Sequence, residues 1–156
     1  MATPSSLASK YGDSFYSYDC GGTYKWYLTQ YIETAREVGA IPVLVTPVSR
    51  LYYTNDGTIK PHHDSTDTTT GTLVTENNAY VEAVKQLAKE QNVLLIDGFE
   101  ITKNMYEEAY KADEKAANGK SVNGMQVMSA GDSTHSNKLG GFITAELFAQ
   151  QIQNMN

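Results

Sequence analysis

The residues best suited to chemistry form one short cluster, Asp132-Ser133-Thr134-His135, placed directly before a predicted helix. An aspartate three residues before a histidine can accept a hydrogen bond from the imidazole Nδ1 and stabilise the cation that forms when Nε2 takes a proton. Such a pair is the acid/base half of a Ser-His-Asp triad. The alternative is structural: Asp132 caps the final helix, and His135 lies on the surface of its first turn. The spacing alone leaves both interpretations open.

Three other polar groups are weaker candidates. Arg50 follows the first predicted strand, at the edge where open α/β sheets bind ligands, and its alternatives are contact with an anionic sugar or a surface salt bridge. His62, His63 and Asp64 converge on a metal only if their loop folds back, so a solvated loop is favoured and no metal site is predicted. Asp97 ends the second predicted strand near the same sheet edge, and its alternatives are capping the next helix or binding a ligand.

Hydrophobic periodicity predicts the elements that must position these residues. Apolar residues at helical spacing predict helices over Thr23 to Gly39, Asn78 to Gln91, Ile101 to Ala117 and Leu139 to Ile152. Two short apolar runs, Ile41 to Val45 and Val93 to Asp97, predict strands buried on both faces. Between the strands, Thr46 to Asn77 is predicted to be mostly loop, with a turn signal at Asn55-Asp56-Gly57.

The order of these elements favours an α/β fold with parallel strands. Helix, strand, long loop, helix and strand in succession imply a right-handed crossover, with helices on the faces of the sheet. Only two strands are clear, whereas an average sheet has about five to six, so the sheet is predicted to be incomplete. Residues 1–22 follow neither period and are predicted to form an irregular arm, and Met125 and Met128 are predicted to cover the core.

The composition excludes several classes of function. The chain has 156 residues, 40% hydrophobic and 19% charged, with a net charge of −6, which indicates one ordinary globular domain. Twelve Lys and Arg against eighteen Asp and Glu leave no basic stripe for nucleic acid. No apolar run approaches the roughly 20 residues of a membrane span. The single cysteine, Cys20, has no partner for an internal disulfide, and no Cys/His spacing indicates a zinc site.

Three segments carry a family resemblance. The first runs from Tyr31 to Arg50 and ends in Val-Thr-Pro-Val-Ser-Arg, the second runs from Leu87 to Asp97, and the third is the Asp-Ser-Thr-His-Ser-Asn-Lys-Leu-Gly-Gly block that ends at Gly141. Together they resemble the GDSL/SGNH hydrolases, and the nearest branch looks like the rhamnogalacturonan acetylesterases. The match extends from residue 23 to residue 152 and therefore covers most of the chain.

The resemblance implies a fold and an activity. The implied fold is a three-layer, flavodoxin-like parallel sheet, and the implied activity is that of a carbohydrate O-acetylesterase acting on a pectin-like polysaccharide. Asp132 and His135 would be the last two members of its Ser-His-Asp triad, with His135 activating a serine and with no metal or organic cofactor. The family suggests an extracellular location, although residues 1–20 lack the pattern of a secretory signal.

One part of the family pattern is not matched. The family carries its nucleophile in a Gly-Asp-Ser block after the first strand, followed by a Gly and an Asn that form the oxyanion hole. Gly12-Asp13-Ser14 occurs here, but no apolar strand precedes Ser14 and no clear helix follows it, as a nucleophile elbow requires. We therefore expect residues 23–156 to match the C-terminal portion of such a domain, nearly inactive by itself, and expect Ser14 to be coincidental. Ser129, Ser133 and Ser136 are the other serines near His135 in sequence.

Two non-enzymatic hypotheses stay open beside the esterase. An incomplete sheet exposes an apolar strand, which predicts a homodimer or a domain-swapped oligomer that covers it. A sugar-binding module would instead use the tyrosine-rich arm and the long loop, because aromatic and hydroxyl side chains suit sugars.

Overall fold

A computed structural model of the chain describes residues 24–62, 65–66, 73–74 and 79–155. The described residues belong to two compact units. The first unit comprises the described parts of Met1–Thr46 and Pro61–Leu95, and the second comprises those of Pro47–Lys60 and Ile96–Asn156. Arg50, Asp132 and His135 all lie in the second unit, whereas the predicted arm of residues 1–22 lies outside the described residues.

In its described residues, the first unit contains two helices and a parallel pair of strands. Helix α1 (Lys25–Glu37) is followed by strand β1 (Val43–Val45), and helix α2 (Ala79–Gln91) by strand β4 (Leu94–Ile96), whose last residue is assigned to the second unit. Strands β1 and β4 pair in parallel, which confirms the predicted α/β class. The long predicted loop also contains β2 (Ser65–Thr66) and β3 (Leu73–Val74), an antiparallel pair that periodicity did not predict.

Glycine ends α1 as the sequence predicts. Gly39 has a φ of +76°, a left-handed conformation that glycine adopts without steric cost. Its N–H donates to the carbonyl of Arg36 at 3.0 Å, and the N–H of Ala40 donates to Ala35 at 2.9 Å, so the last helical carbonyls are paired. The predicted cap at Thr23 lies outside the described residues.

The core of the first unit forms on one side of the strands. It contains Ile32 of α1, Leu44 of β1, and Val84, Leu87 and Ala88 of α2. The prediction that both strands are buried on both faces is wrong, because Val43 and Val45 of β1 are 39% and 42% exposed and Leu94 of β4 is 43% exposed. Alternate side chains of a strand point to opposite faces, so Leu44 packs against the helices while its two neighbours point away from them.

The second unit contains three helices and a short hairpin. Helix α3 (Gly98–Ala112) and helix α4 (Glu114–Asn118) replace the single helix predicted over Ile101 to Ala117. The break is at Asp113, which has an extended backbone (φ −158°) and whose carboxylate accepts a hydrogen bond from the N–H of Ala116 at 3.0 Å. An aspartate favours such a cap over a helix interior, so the helix restarts there.

The hairpin consists of β5 (Ser121–Val122) and β6 (Met125–Gln126), which pair antiparallel. Asn123 and Gly124 join them with φ values of 50° and 76°, as a two-residue type I′ turn requires. The Asn-Gly dipeptide was the sequence signal for this hairpin, and periodicity alone missed it. Helix α5 (Lys138–Gln153) follows, close to the predicted bounds.

The core of the second unit lies among α3, the hairpin and the segment from Leu51 to Ile59. Its buried members are Leu51, Ile59, Tyr106, Ala109, Val122, Val127 and Met128. The predicted turn at Asn55-Asp56-Gly57 is present, and Gly57 has a φ of +82° with the ring of Tyr110 packed where a side chain would start. Of the two methionines predicted to cover core, Met128 does so, whereas Met125 is 43% exposed.

Within the described ranges, no helix is both long and apolar enough to cross a bilayer.

Candidate active site

The predicted pair of Asp132 and His135 meets on one tight turn, here named the Asp132–His135 turn (residues 132–135). Ser129, which lies outside the turn, holds its two ends together. The N–H of Ser129 donates to the carbonyl of His135 at 2.9 Å, and the N–H of Asp132 donates to the carbonyl of Ser129 at 3.0 Å. Gly131 precedes the turn with a φ of +73°, which favours glycine. The backbone therefore brings both side chains to the same side of the turn.

The Asp132 carboxylate accepts three hydrogen bonds. Its Oδ1 accepts from the backbone N–H of Thr134 at 2.5 Å and from that of His135 at 3.0 Å, and its Oδ2 lies 2.6 Å from the His135 Nδ1. The N–H of Thr134, followed by the His135 side chain and the N–H of His135, holds the pKa of Asp132 well below its ordinary value. Asp132 is consequently a carboxylate at neutral pH and a fixed acceptor for the imidazole.

The carboxylate selects the tautomer of the neutral His135 imidazole. A carboxylate can only accept, so the neutral imidazole carries its proton on Nδ1 and presents an unprotonated Nε2. The His135 side chain is 78% exposed and that of Asp132 is 30% exposed, which leaves Nε2 accessible to a reacting group. Of the three serines near His135 in sequence, Ser129 has a hydroxyl that donates to the carbonyl of Ser136 at 3.5 Å.

The structural alternative for Asp132 does not hold, because Asn137 caps the final helix instead. The Asn137 Oδ1 accepts from the N–H groups of Leu139 and Gly140, both at 3.0 Å. Its Nδ2 donates to the carbonyls of Gln126 at 2.8 Å and Met128 at 3.2 Å. Asn137 thus ties the end of the Asp132–His135 turn to both α5 and the hairpin.

Sequence reasoning missed Asn137, although an asparagine before a helical run is a known cap signal. The glycine that follows it is also required by packing. A Cβ on Gly140 would lie 2.2 Å from the carbonyl oxygen of Val127, so only glycine fits there.

The segment after β1 contacts the Asp132–His135 turn at Ser133 and Thr134. The N–H of Leu51 donates to the carbonyl of Ser133 at 2.8 Å, and the Tyr52 hydroxyl lies 3.2 Å from the Thr134 hydroxyl. The Arg50 guanidinium lies 5.9 Å from the centre of the Tyr52 ring. Hydrogen bonds from Thr134 and Arg50 lower the pKa of Tyr52. The structure therefore places Arg50 beside the Asp132–His135 turn, through Tyr52.

A cavity of about 340 Å³ adjoins the turn within the second unit. Two buried hydroxyl residues form part of its wall, Ser49 and Thr102, and the N–H of Ser49 donates to the Thr102 Oγ1 at 2.8 Å. The remaining lining residues are Val48, Tyr106, Thr134, Ser136, Gly141, Thr144, Ala145 and Phe148. The cavity is therefore mixed in character, lined by both hydroxyl and apolar side chains.

The other predicted candidates have different outcomes. Asp97 is a helix cap, since its Oδ1 accepts from the N–H of Glu100 at 3.2 Å. His62 is half-buried, whereas His63 and Asp64 lie outside the described residues, as do Cys20 and Ser14. In the part of the chain that the structure describes, no three His, Cys, Asp or Glu side chains converge as a metal site would require, and a metal-free site stays a prediction.

Comparison with known proteins identifies relatives. No family model matches the chain. It is 37% identical over 135 residues to a probable rhamnogalacturonan acetylesterase, YesY, of Bacillus subtilis, and 32% identical over 142 residues to the rhamnogalacturonan acetylesterase RhgT of the same organism. Each alignment covers 85% of this chain but only 52% and 53% of the relatives, so the chain spans about half of their length.

The fold has a counterpart among solved structures. The crystal structure of protein YXIM of Bacillus subtilis matches 94% of this chain and 33% of that chain, with a TM-score of 0.59 and 19% sequence identity. At that identity the match concerns the fold alone. The fold and the relatives together confirm the resemblance predicted from the sequence.

Proposed function

We propose that this chain, a relative of the rhamnogalacturonan acetylesterases within the GDSL/SGNH hydrolases, supplies the acid/base half of a carbohydrate O-acetylesterase. The observation that carries the proposal is the 2.6 Å contact between the Asp132 Oδ2 and the His135 Nδ1. Two backbone N–H groups fix the carboxylate, and the other imidazole nitrogen is exposed. That is the arrangement a general base needs.

The chemistry would proceed in two steps. In the first, the His135 Nε2 takes the proton of a serine hydroxyl, whose oxygen attacks the acetyl carbonyl, and the imidazolium then gives that proton to the departing sugar oxygen. In the second, Nε2 takes a proton from water as the water oxygen attacks the acetyl-serine, and the imidazolium returns that proton to the departing serine oxygen, which releases acetate and restores both the serine hydroxyl and the neutral imidazole. Asp132 stabilises the imidazolium in both steps without becoming protonated.

The substrate class comes from the names of the relatives, which are rhamnogalacturonan acetylesterases. We propose an acetylated, pectin-like polysaccharide as substrate and an extracellular location. Arg50 lies beside the Asp132–His135 turn, through its contact with Tyr52, and is a suitable partner for the carboxylate of an acidic sugar residue. No cofactor is required by this chemistry.

The nucleophile decides whether the isolated chain turns over. Ser14 lies outside the described residues, and the spacing around it does not match a nucleophile elbow. We propose that residues 23–156 correspond to the C-terminal portion of the esterase domain and that the isolated chain is nearly inactive. An oxyanion-hole donor contributes about 3–4 kcal/mol of transition-state stabilisation in comparable enzymes.

The first experiment is an esterase assay on p-nitrophenyl acetate, combined with a serine-directed organophosphate and mass spectrometry of the labelled peptide. We expect neither turnover above a His135→Gln control nor a specific label. Label on Ser14, with activity lost in both Ser14→Ala and His135→Gln, would show a complete esterase and overturn our interpretation of the N-terminal residues. Label on Ser129, Ser133 or Ser136 would equally overturn it, because the nucleophile would then lie beside the turn.

A second candidate function is assembly through the strand face of the first unit. Ile41, Val43, Val45 and Leu94 are between 39% and 80% exposed, and apolar strand residues at such exposure favour contact with another chain. A homodimer or domain-swapped oligomer would bury them. Light scattering tests the proposal: a dimer that dissociates on Val43→Lys supports it, and a stable monomer would refute it. A sugar-binding module without catalysis is supported if the chain binds an oligosaccharide and if His135→Gln leaves that binding unchanged.

A further inference from the structure

We propose that Tyr52 is a positioning residue for His135, acting through Thr134. Its hydroxyl lies 3.2 Å from the Thr134 Oγ1, although the two residues are 82 positions apart in the chain. The importance of this contact for catalysis rests on the proposed function, whereas the contact and its effect on the imidazole can be tested without it.

The first step of the argument concerns what holds the imidazole. The His135 side chain is 78% exposed, so packing fixes it little and hydrogen bonds must orient it. Because its Nδ1 contacts the Asp132 Oδ2, the orientation of the imidazole depends on how firmly that carboxylate is fixed. The orientation of that carboxylate depends in turn on its other oxygen, which accepts from the N–H groups of Thr134 and His135.

The second step concerns what holds those N–H groups. The peptide between Ser133 and Thr134 presents its N–H to Asp132, and its carbonyl accepts from the N–H of Leu51 at 2.8 Å. The next residue along, Tyr52, contacts the Thr134 side chain. One short segment therefore fixes both the backbone and the side chain of the Asp132–His135 turn at the position that determines the carboxylate geometry.

The third step concerns what holds Tyr52. The Arg50 guanidinium lies 5.9 Å from its ring centre, and Ser49, two residues before Leu51, is anchored to α3 through the 2.8 Å bond to Thr102. The segment is thus fixed at the buried Ser49 before it reaches the turn. Tyr52 is the side chain through which this anchored segment contacts the Thr134 side chain.

The test is the tautomer of His135, read from its two imidazole ¹⁵N shifts by NMR. The chain has three histidines, and His135→Gln identifies the relevant signals. The variants are Tyr52→Phe and Thr134→Val, which each remove one hydroxyl of the pair, and their double variant. Thr134→Ser keeps the hydroxyl and serves as the rescue.

Tyr53→Phe is the matched control. The Tyr53 hydroxyl donates to the carbonyl of Tyr106 at 2.7 Å in the same unit, so this variant also loses one tyrosine hydrogen bond, but one that does not reach the Asp132–His135 turn. A general loss of packing would appear in Tyr53→Phe as well as in Tyr52→Phe.

We expect Tyr52→Phe and Thr134→Val each to lower the ratio of Nδ1–H to Nε2–H imidazole, by up to about fivefold, the change that one ordinary hydrogen bond can produce. The double variant should resemble the single ones, because both remove the same contact. Thr134→Ser and Tyr53→Phe should match the native ratio.

An unchanged ratio in folded Tyr52→Phe, or an equal change in Tyr53→Phe, would overturn the proposal. If Tyr52→Phe fails to fold, an unchanged ratio in Thr134→Val overturns it just as well. The readout needs no turnover, so the two proposals are tested separately: a serine label in the organophosphate experiment would overturn the acid/base-half proposal whatever the imidazole ratio in Tyr52→Phe.

Discussion

Asn137 is the residue whose loss should most disturb the surroundings of the candidate site. It contributes a helix cap through Oδ1 and, through Nδ2, two hydrogen bonds to the carbonyls of Gln126 in β6 and of Met128 just after it. Substitution by alanine removes all of these contacts while leaving the backbone free to keep its course. We therefore expect Asn137→Ala to destabilise the second unit and to loosen the adjoining Asp132–His135 turn.

The magnitude follows from the number of contacts. Loss of an asparagine cap costs about 1 kcal/mol, and each neutral hydrogen bond contributes about 1 kcal/mol. Asn137 is only half-buried, so the two Nδ2 bonds are weakened by competition with water. We expect a decrease of about 2–3 kcal/mol in the free energy of unfolding, or roughly 4–12 °C in Tm for a chain of this size.

Asn137→Asp separates the two contributions. The aspartate keeps an acceptor for the N–H groups of Leu139 and Gly140 but has no donor for the carbonyls of Gln126 and Met128. Its cost should therefore lie near 1–2 kcal/mol, close to two hydrogen bonds weakened by water. Urea denaturation, followed by circular dichroism and tryptophan fluorescence, measures both variants. Equal stability of Asn137→Ala and the native chain would refute the reasoning, since no contact of Asn137 would then contribute.

Two further predictions concern neighbouring residues. Gly140→Ala should lower the free energy of unfolding by about 1–3 kcal/mol, because its Cβ would meet the Val127 carbonyl. Gly141→Ala, whose Cβ would have only Ser136 at 4.0 Å, should raise it by up to about 1 kcal/mol through helix propensity. Thermal denaturation compares the two variants, and equal effects would contradict the packing argument. Asp132 has a depressed pKa in the folded chain, so its stabilisation is complete above its unfolded pKa near 4 and is lost as the pH falls through the folded value. The stability difference between the native chain and Asp132→Asn should therefore be constant from about pH 5 to 7 and shrink below about pH 4, and a difference that grows on acidification would contradict the assigned direction.

The parts of the site that could be predicted from sequence are those that depend on neighbouring residues. Asp132 and His135 are three positions apart, so one turn suffices to bring them together, and their contact is confirmed. The same holds for the glycine that ends α1 and for the turn before Gly57. Helical periodicity predicted α2 and α5 almost to their ends, because an apolar stripe is a local property of the chain.

Other features depended on competition between neighbouring signals. Periodicity continued across Asp113, yet the helix breaks there because the carboxylate caps α4. The Asn-Gly turn of the hairpin and the cap at Asn137 also have sequence signals, but these signals are one or two residues long and hydrophobic periodicity does not detect them. The burial of β1 was misjudged because an apolar run indicates a strand without telling how many of its faces are covered.

The sequence by itself determined the α/β class, the helices, and the pairing of an aspartate with a histidine. The helices and the Asp-His pair follow from contacts within a few residues, and the class follows from the order of helices and strands along the chain. Only the tertiary structure decided that Leu51 and Tyr52 contact the Asp132–His135 turn, that Arg50 lies beside it, and that Val43 and Val45 are exposed. Tyr52 and Thr134 lie 82 positions apart. Contacts over such separations are chosen by how whole elements pack, because the loss of chain entropy on closing a long loop depends little on which residues meet at its ends.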